Sequence, residues 1–404
     1  MLFSHRNVAV FALLLIFLIV WFKPIPLHTK SALHYLRASG PASPDILNAT
    51  LGFQQVFVIN IPERTDRRDA MTLAAALSRI DVQWIDGVDG HSVSDKVVPG
   101  DSWDKSISKG NKGSWRAHMN VLQRVVQDNI TSALILEDDA DWDVRIKPQL
   151  QVFAQAARAF TQSVPQHHPE HGVSYADHTS QSEISLAQLP PKLRLSVTPY
   201  GDAWDVLWLG HCGTELPKES DMVSDHGYDV KSSKPPVLKI TIPNDATVPS
   251  PKHLKAHPFA LQDEIAKQYP PHTRIVHSSS KTTCTQAYAV SQQGARKLLW
   301  QFGLQTLTTG WDLMLRDWCD GLYKSSSRDG RTANHPVCVT VQPPIFSHHY
   351  GKGAASDITA PGGGFVNKEK EMTPYIRLSV RLNMERLVNG ASFEDLVDQW
   401  EDGT

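Results

Sequence analysis

Four apolar residues, Ala133 to Leu136, run directly into four carboxylates packed within five positions: Glu137, Asp138, Asp139 and Asp141. A short apolar run bounded in this way reads as a core strand, and in open α/β sheets ligands gather outside the carboxyl ends of such strands. Like charges at this density repel one another unless a cation compensates them. Oxygen donors suit a hard divalent cation, Mn²⁺ or Mg²⁺. The spacing Asp139-x-Asp141 puts two side chains on one side of an extended segment. A solvated acidic turn is the alternative, and the metal reading is preferred to it.

At 404 residues the chain can bury a large single core or two domains. A formal net charge of −2 leaves no dominant basic surface for a nucleic-acid backbone. The apolar run Val8 to Phe22, flanked by Arg6 and Lys23, is expected to enter a membrane. A cleaved secretory signal would share its basic start and apolar middle. The bulky, proline-rich Trp21 to Pro26 that follows offers no small-residue cleavage pattern, so an uncleaved signal anchor is expected.

Two sequons, at Asn48 and Asn129, and an even count of four cysteines fit a lumenal body. Cys212, Cys284, Cys319 and Cys338 lack the paired spacing of a zinc site, so two disulfides are expected. Three connectivities are open, and Cys212 to Cys284 with Cys319 to Cys338 is the preferred one. The layout is then a cytoplasmic tail over 1–7, an anchor over 8–22, a stem over 23–51, and a folded body over 52–366. Insertions rich in Pro, His and Ser fall near 162–199 and 215–283. A helical segment with an acidic tail, marked by Leu378, Leu382 and Leu387, covers 367–404.

Within the body, Gln55 to Asn60 reads as a strand. Thr65 or Asp66 then caps a helix carrying Ala70, Leu73, Ala74 and Leu77 inward, and Val82 to Ile85 forms a second strand. Strand, helix and strand imply a parallel βαβ unit. A helix over Trp115 to Gln127 precedes the acid-tipped strand. Trp204 to Gly210 and Tyr288 to Val290 read as strands and Gly294 to Leu304 as a helix.

In order along the chain stand Val58-Ile59-Asn60-Ile61 with Arg64-Thr65-Asp66-Arg67-Arg68, Trp84 to Gly90, Gly113 to His118, and Leu136 to Asp139. Further on come Trp204 to Gly210, Ala287 to Leu298, Trp311-Asp312 and Pro344 to His348. By these segments the chain resembles glycosyltransferase family 25, which holds bacterial lipooligosaccharide and animal collagen galactosyltransferases. Ser114 and Ala117 depart from the family's usual Cys and Ser. The anchor, stem and insertions suit a eukaryotic, fungal, type II membrane member in the Golgi or endoplasmic reticulum.

The resemblance implies a GT-A-type, Rossmann-like nucleotide-diphospho-sugar transferase fold with a mixed sheet. It also implies transfer from a UDP-sugar donor, galactose leading, to a hydroxyl of a glycan or glycoprotein acceptor. A divalent ion on Asp139 and Asp141 would stabilise the departing diphosphate, with His348 as the third ligand. Asn60, Arg64 and Arg67 follow the first strand, where a nucleotide docks, and arginine suits phosphate because its fork donates twice; Arg68 is left to solvent. Glu137 and Asp138 orient the strand end or touch ribose, and His118 touches the donor. Asp312 is the candidate base for an inverting transfer. Trp208 and Trp311 are read as core ahead of sugar platforms. A non-catalytic lumenal sugar-binding protein and a metal-dependent phosphohydrolase remain the competing readings.

Overall fold

The computed structural model describes residues 44–100, 107–163, 183–190, 193, 195–217, 239–256, 262–323, 335–352 and 370–403. The apolar run over 8–22 and the stem as far as residue 43 lie outside them. Among the described residues no helix is long and apolar enough to cross a membrane.

Strand β1 (Gln55–Asn60) leads through helix α1 (Thr65–Leu77) to β2 (Gln83–Asp86), and the strands pair in parallel with Val58 opposite Trp84. This is the expected βαβ unit. Helix α1 is turned slightly from the expected face: Met71, Ala74 and Ala75 are buried while Leu73 is exposed. Neither Thr65 nor Asp66 caps it; Arg64 holds the N-cap position without a side-chain bond to the helix.

Helix α2 (Lys109–Gln127) starts earlier than expected, with the Ser108 hydroxyl accepting from the Asn111 amide at 3.2 Å. The segment Gly113 to His118 is therefore helical throughout. Its glycine has a packing reason. A Cβ on Gly113 would stand 2.2 Å from the Val88 carbonyl oxygen, and one on Gly90 would stand 1.7 Å from that of Lys109. These two glycines let the Asp89-Gly90 turn press on the helix.

The remaining elements are β3 (Ser132–Glu137), β4 (Ala140–Trp142), α3 (Ile146–Ser163), β5 (Glu183–Ser185), β6 (Val206–Gly210), β7 (Lys239–Ile242) and β8 (Arg274–Ser278). After them come β9 (Ala287–Ser291), α4 (Gln292–Trp300), α5 (Trp311–Cys319), β10 (Cys338–Gln342) and β11 (Phe346–His348). They form one mixed sheet in the order β2-β1-β3-β9-β6-β10-β8-β7-β5, with β11 joining β6 and β4. Because β9 runs antiparallel between β3 and β6, the strands β1, β3, β6 and β10 all point one way. Their carboxyl ends share one edge, where a ligand site is expected.

Side-chain alternation sends Val56, Val58, Leu134 and Leu136 to a core with α1 and α3, while Phe57, Ala133 and Ile135 face α2, α4 and α5. Helices thus cover both faces of a largely buried sheet. The architecture is that of a GT-A-like Rossmann fold. The disulfides are Cys212–Cys284 and Cys319–Cys338, the preferred pairing.

Two regions differ from expectation. The stretch read as an insertion over 215–283 supplies β7 and β8, whose apolar runs are too short to stand out in sequence. Arg274 there is buried, pairing with Asp245 at 2.7 Å and donating to the Pro344 carbonyl at 3.1 Å. The C-terminal segment is mostly turns, with one short helix at Met384–Val388. Residues 372–381 lie along β4 as an arm, through Val144 N to Leu378 O and Val380 N to Trp142 O, both 2.9 Å.

Gly113→Ala should lower stability by roughly 2–4 kcal/mol, since the helix must move off the 88–90 turn; an unchanged melting temperature would show that the close approach is dispensable. A second expectation concerns pH. Burial holds His211 and His277 down to about 4, whereas unfolded imidazoles titrate near 6.5. Their contribution to stability is therefore complete above pH ~6.5 and declines as pH falls toward ~4, by roughly 1–3 kcal/mol each. Asp263, raised to about 6 by burial, contributes the opposite slope over its own range. Denaturant titrations between pH ~7 and ~4.5 should show a flatter stability profile for His277→Gln than for the native chain.

Candidate active site

The acid cluster does not continue the strand. Strand β3 ends at Glu137, residues 138 and 139 form a turn, and β4 begins at Ala140. The turn sends the four carboxylates in different directions. Glu137 accepts from the Thr285 hydroxyl at 2.7 Å and lies 3.7 Å from His118 Nε2. Asp138 accepts from Asn60 Nδ2 and from Arg67 Nη1, each at 2.8 Å. Asp139 accepts from the same Arg67 nitrogen at 3.1 Å and meets His348 Nε2 at 3.1 Å.

Asp141 is buried on another side. Its Oδ1 accepts the Trp142 amide at 2.8 Å and the Arg381 amide at 3.2 Å. Its Oδ2 accepts the Thr373 hydroxyl at 2.6 Å and the Ser379 hydroxyl. The expectation that Asp139 and Asp141 face one ion is corrected on this geometry. The 138–139 turn breaks the extended alternation that the spacing argument assumed, and both oxygens of Asp141 are committed to the C-terminal arm.

Electrostatics separate the two acids of the turn. Burial, aided by repulsion from Asp139, raises the Asp138 carboxyl above its ordinary range against the pull of Arg67 and Asn60. Burial acts on Asp139 in the same direction but is outweighed by His348, Arg67 and Arg381, which hold that carboxyl below it. Asp139 is thus the more readily ionised of the two.

Arg67 is the arginine that reaches the acidic tip. Arg64 pairs instead with Asp66 through Nε and Nη2 at 2.9 and 2.8 Å, and Arg68 lies over the Trp84 ring at 4.5 Å rather than in solvent. His118 is buried inside α2, bonded through Nδ1 to the Tyr288 hydroxyl at 2.9 Å and stacked on Trp311. Trp311 and Trp208 are core residues, the latter donating to the Cys284 carbonyl at 2.8 Å. Asp312, in the first turn of α5, accepts the Cys284 amide at 3.0 Å through Oδ2. Cys284 adjoins Thr285, the partner of Glu137, so Asp312 belongs to the same rim.

A divalent ion fits this donor set in part. Asp139 Oδ1 and His348 Nδ1 are buried without a hydrogen-bond partner, and the two side chains already converge. Among the described residues no group of three or more His, Cys, Asp or Glu side chains is arranged to hold a metal. One carboxylate and one imidazole leave the rest of a coordination shell to substrate phosphates and water, a common arrangement for ions of this class. Thr285, Thr373, Ser379 and Arg381 went unread in the sequence because none stands in a recognisable spacing with the acidic run.

A model described as glycosyltransferase family 25 (LPS biosynthesis protein) matches residues 53–181, from the approach to β1 past the acid cluster. By this segment the chain is similar to glycosyltransferase family 25. It is similar to procollagen galactosyltransferase 1 of Danio rerio, 30% identical over 120 residues, 27% of this chain and 20% of that protein. Procollagen galactosyltransferase 2 of Mus musculus is 27% identical over 111 residues, 25% of this chain and 18% of that protein. Inactive glycosyltransferase 25 family member 3 of Homo sapiens is 27% identical over 112 residues, 25% and 19% of the two chains. The matched part spans about a fifth of the length of these family 25 relatives. Ser114 and Ala117 lie on α2, where Ala117 is buried against the core.

Asp141→Ala should cost roughly 2–4 kcal/mol, because four donors lose their buried acceptor. Glu137→Gln, which can still accept from Thr285, should cost under about 1 kcal/mol. Urea unfolding of the two variants checks the contrast, and equal losses would deny Asp141 its anchoring role.

Proposed function

We propose that the protein is a metal-dependent glycosyltransferase that moves a hexose, galactose foremost, from a UDP-sugar to a hydroxyl of a glycan or glycoprotein, with inversion at the anomeric carbon. The observation that carries the reading is the convergence of Arg67, Asp138, Asp139 and His348 at the carboxyl end of β3, in a chain whose matched segment contains that strand. Galactose as donor sugar and a protein acceptor are suggested by the names of the relatives.

On this reading Asp139 and His348 would hold a Mn²⁺ or Mg²⁺ ion, which supplies positive charge to a departing diphosphate. Arg67 is held between Asp138 and Asp139 and offers its fork to phosphate oxygens at the same edge. Asn60 fixes Asp138, and through it the position of Arg67. As the acceptor oxygen attacks the anomeric carbon and the bond to UDP breaks, its proton passes to Asp312. The oxygen for this is Oδ1, since Oδ2 is engaged by Cys284, and Oδ1 faces the Gly310 turn beside Asn111. The body is assigned to the Golgi or endoplasmic reticulum lumen, tethered by the apolar run over 8–22. Two disulfides and exposed sequon residues Asn48 and Asn129 support that compartment.

The second reading, a sugar-binding protein without turnover, draws on the relative named inactive. Mn²⁺-dependent release of UDP from a panel of UDP-sugars separates the readings. Selective release that rises with acceptor is expected, and Asp139→Ala and His348→Ala should each lower kcat by at least about a hundredfold. Sugar binding without release would favour the second reading. Hydrolysis indifferent to sugar and acceptor would mean a phosphohydrolase. Undiminished turnover in Asp139→Ala would remove the metal role.

A further inference from the structure

The acidic tip is held from behind by a residue far outside the matched segment. Arg381, on the C-terminal arm, donates from Nη2 to the Asp138 carbonyl at 2.7 Å and from Nε to the Ala140 carbonyl at 3.1 Å. Its own amide donates to Asp141. One guanidinium therefore grips the backbone on both sides of Asp139, the residue between its two carbonyl partners. The grip is braced twice more. Asp141 collects the Thr373 and Ser379 hydroxyls, and the Asp139 carbonyl accepts the His349 amide at 2.9 Å, next to His348.

We propose that Arg381 is a positioning residue: its fork sets where the Asp139 carboxylate stands relative to His348 and Arg67, and the arm over 372–381 is thereby part of the site. The physical case is geometric. Apart from the His349 amide on the Asp139 carbonyl, the 138–139 turn is fixed by the guanidinium, whose planar fork restrains the carbonyls on either side from two nitrogens in a rigid geometry, where a lysine offers its donors from a single flexible point. The positive charge also lies among Asp138, Asp139 and Asp141, offsetting their mutual repulsion. A plain charge-balancing role would be satisfied by lysine, whereas a positioning role needs the fork. In its bearing on catalysis the inference rests on the transferase reading above.

The test uses the full chain and the variants Arg381→Lys and Arg381→Met. Hydrogen exchange should speed up by at least about tenfold in peptides covering 137–142 and 346–350 in both variants, while peptides of β1 and β9 keep their native protection. With UDP-galactose as probe, both variants should lose at least about tenfold in kcat and need about tenfold more Mn²⁺ for half-saturation. KM for UDP-galactose should change by less than about threefold. Unchanged exchange at the tip, exchange raised equally across the sheet, or full rescue by Arg381→Lys would each overturn the proposal. If the native chain releases no UDP, the transferase reading fails, and the exchange measurement alone still decides whether Arg381 positions the tip.

Discussion

Charge compensation at the end of β3 is the constraint around which the rest of the molecule is arranged. Four carboxylates within five residues at the edge of a buried sheet are tolerable only if donors and cations meet them. Each acid is met differently: a hydroxyl for Glu137, an amide and a guanidinium for Asp138, the same guanidinium and an imidazole for Asp139, and hydroxyls with backbone amides for Asp141. Two guanidinium groups, Arg67 and Arg381, and the His348 imidazole stand among these acids. Asp139, the acid held ionised and carrying a buried oxygen without a partner, is where an added cation would be met, which is the electrostatic basis for the proposed metal.

Those partners come from elements widely separated in the chain, and the sheet order explains how they meet. Asn60 ends β1, His348 ends β11, and Thr285 precedes β9. All lie at the edge where β1, β3 and β6 end. The Cys212–Cys284 bond ties the residues after β6 to those before β9 at that same edge. Arg67 arrives from the first turn of α1, which the parallel β1-α1-β2 crossover brings over the end of its strand. The site is thus a product of strand direction more than of any local motif.

Sequence made the parallel half legible because its strands are continuous apolar runs, as strands covered on both faces must be. Gln55 to Asn60, Ala133 to Glu137 and Trp204 to Gly210 are readable for that reason, and Asn60, Arg67, Asp138, Asp139 and His348 stand at or just beyond strand ends, where their residue types mark them as candidates. The orientation of Asp141 was not readable. It depends on a two-residue turn made of acids, which leaves no glycine or proline to mark it. The strands β7 and β8 escaped because each alternates only a few apolar residues with Lys, Thr, Arg or His. The polar members are buried by tertiary partners such as Asp245 for Arg274, and those partners are invisible in a local window.

The C-terminal arm shows the same limit in its strongest form. Leu378, Leu382 and Leu387 recur at helical spacing, yet residues 372–381 stay extended and turned. Their backbone is bonded to β4, and their side chains Thr373, Ser379 and Arg381 are consumed by the acid cluster. A helix there would satisfy its own carbonyls and amides but leave the buried Asp141 carboxylate with the Trp142 amide and none of the arm's three donors, a larger cost than the lost helical hydrogen bonds. The acids at 138–141 therefore dictate the conformation of a segment some 240 positions later. An arm shaped by the charge it covers has little freedom to change its polar residues unless the acidic tip changes with it, so the tip and the arm are one unit, although only the tip lies within the matched segment.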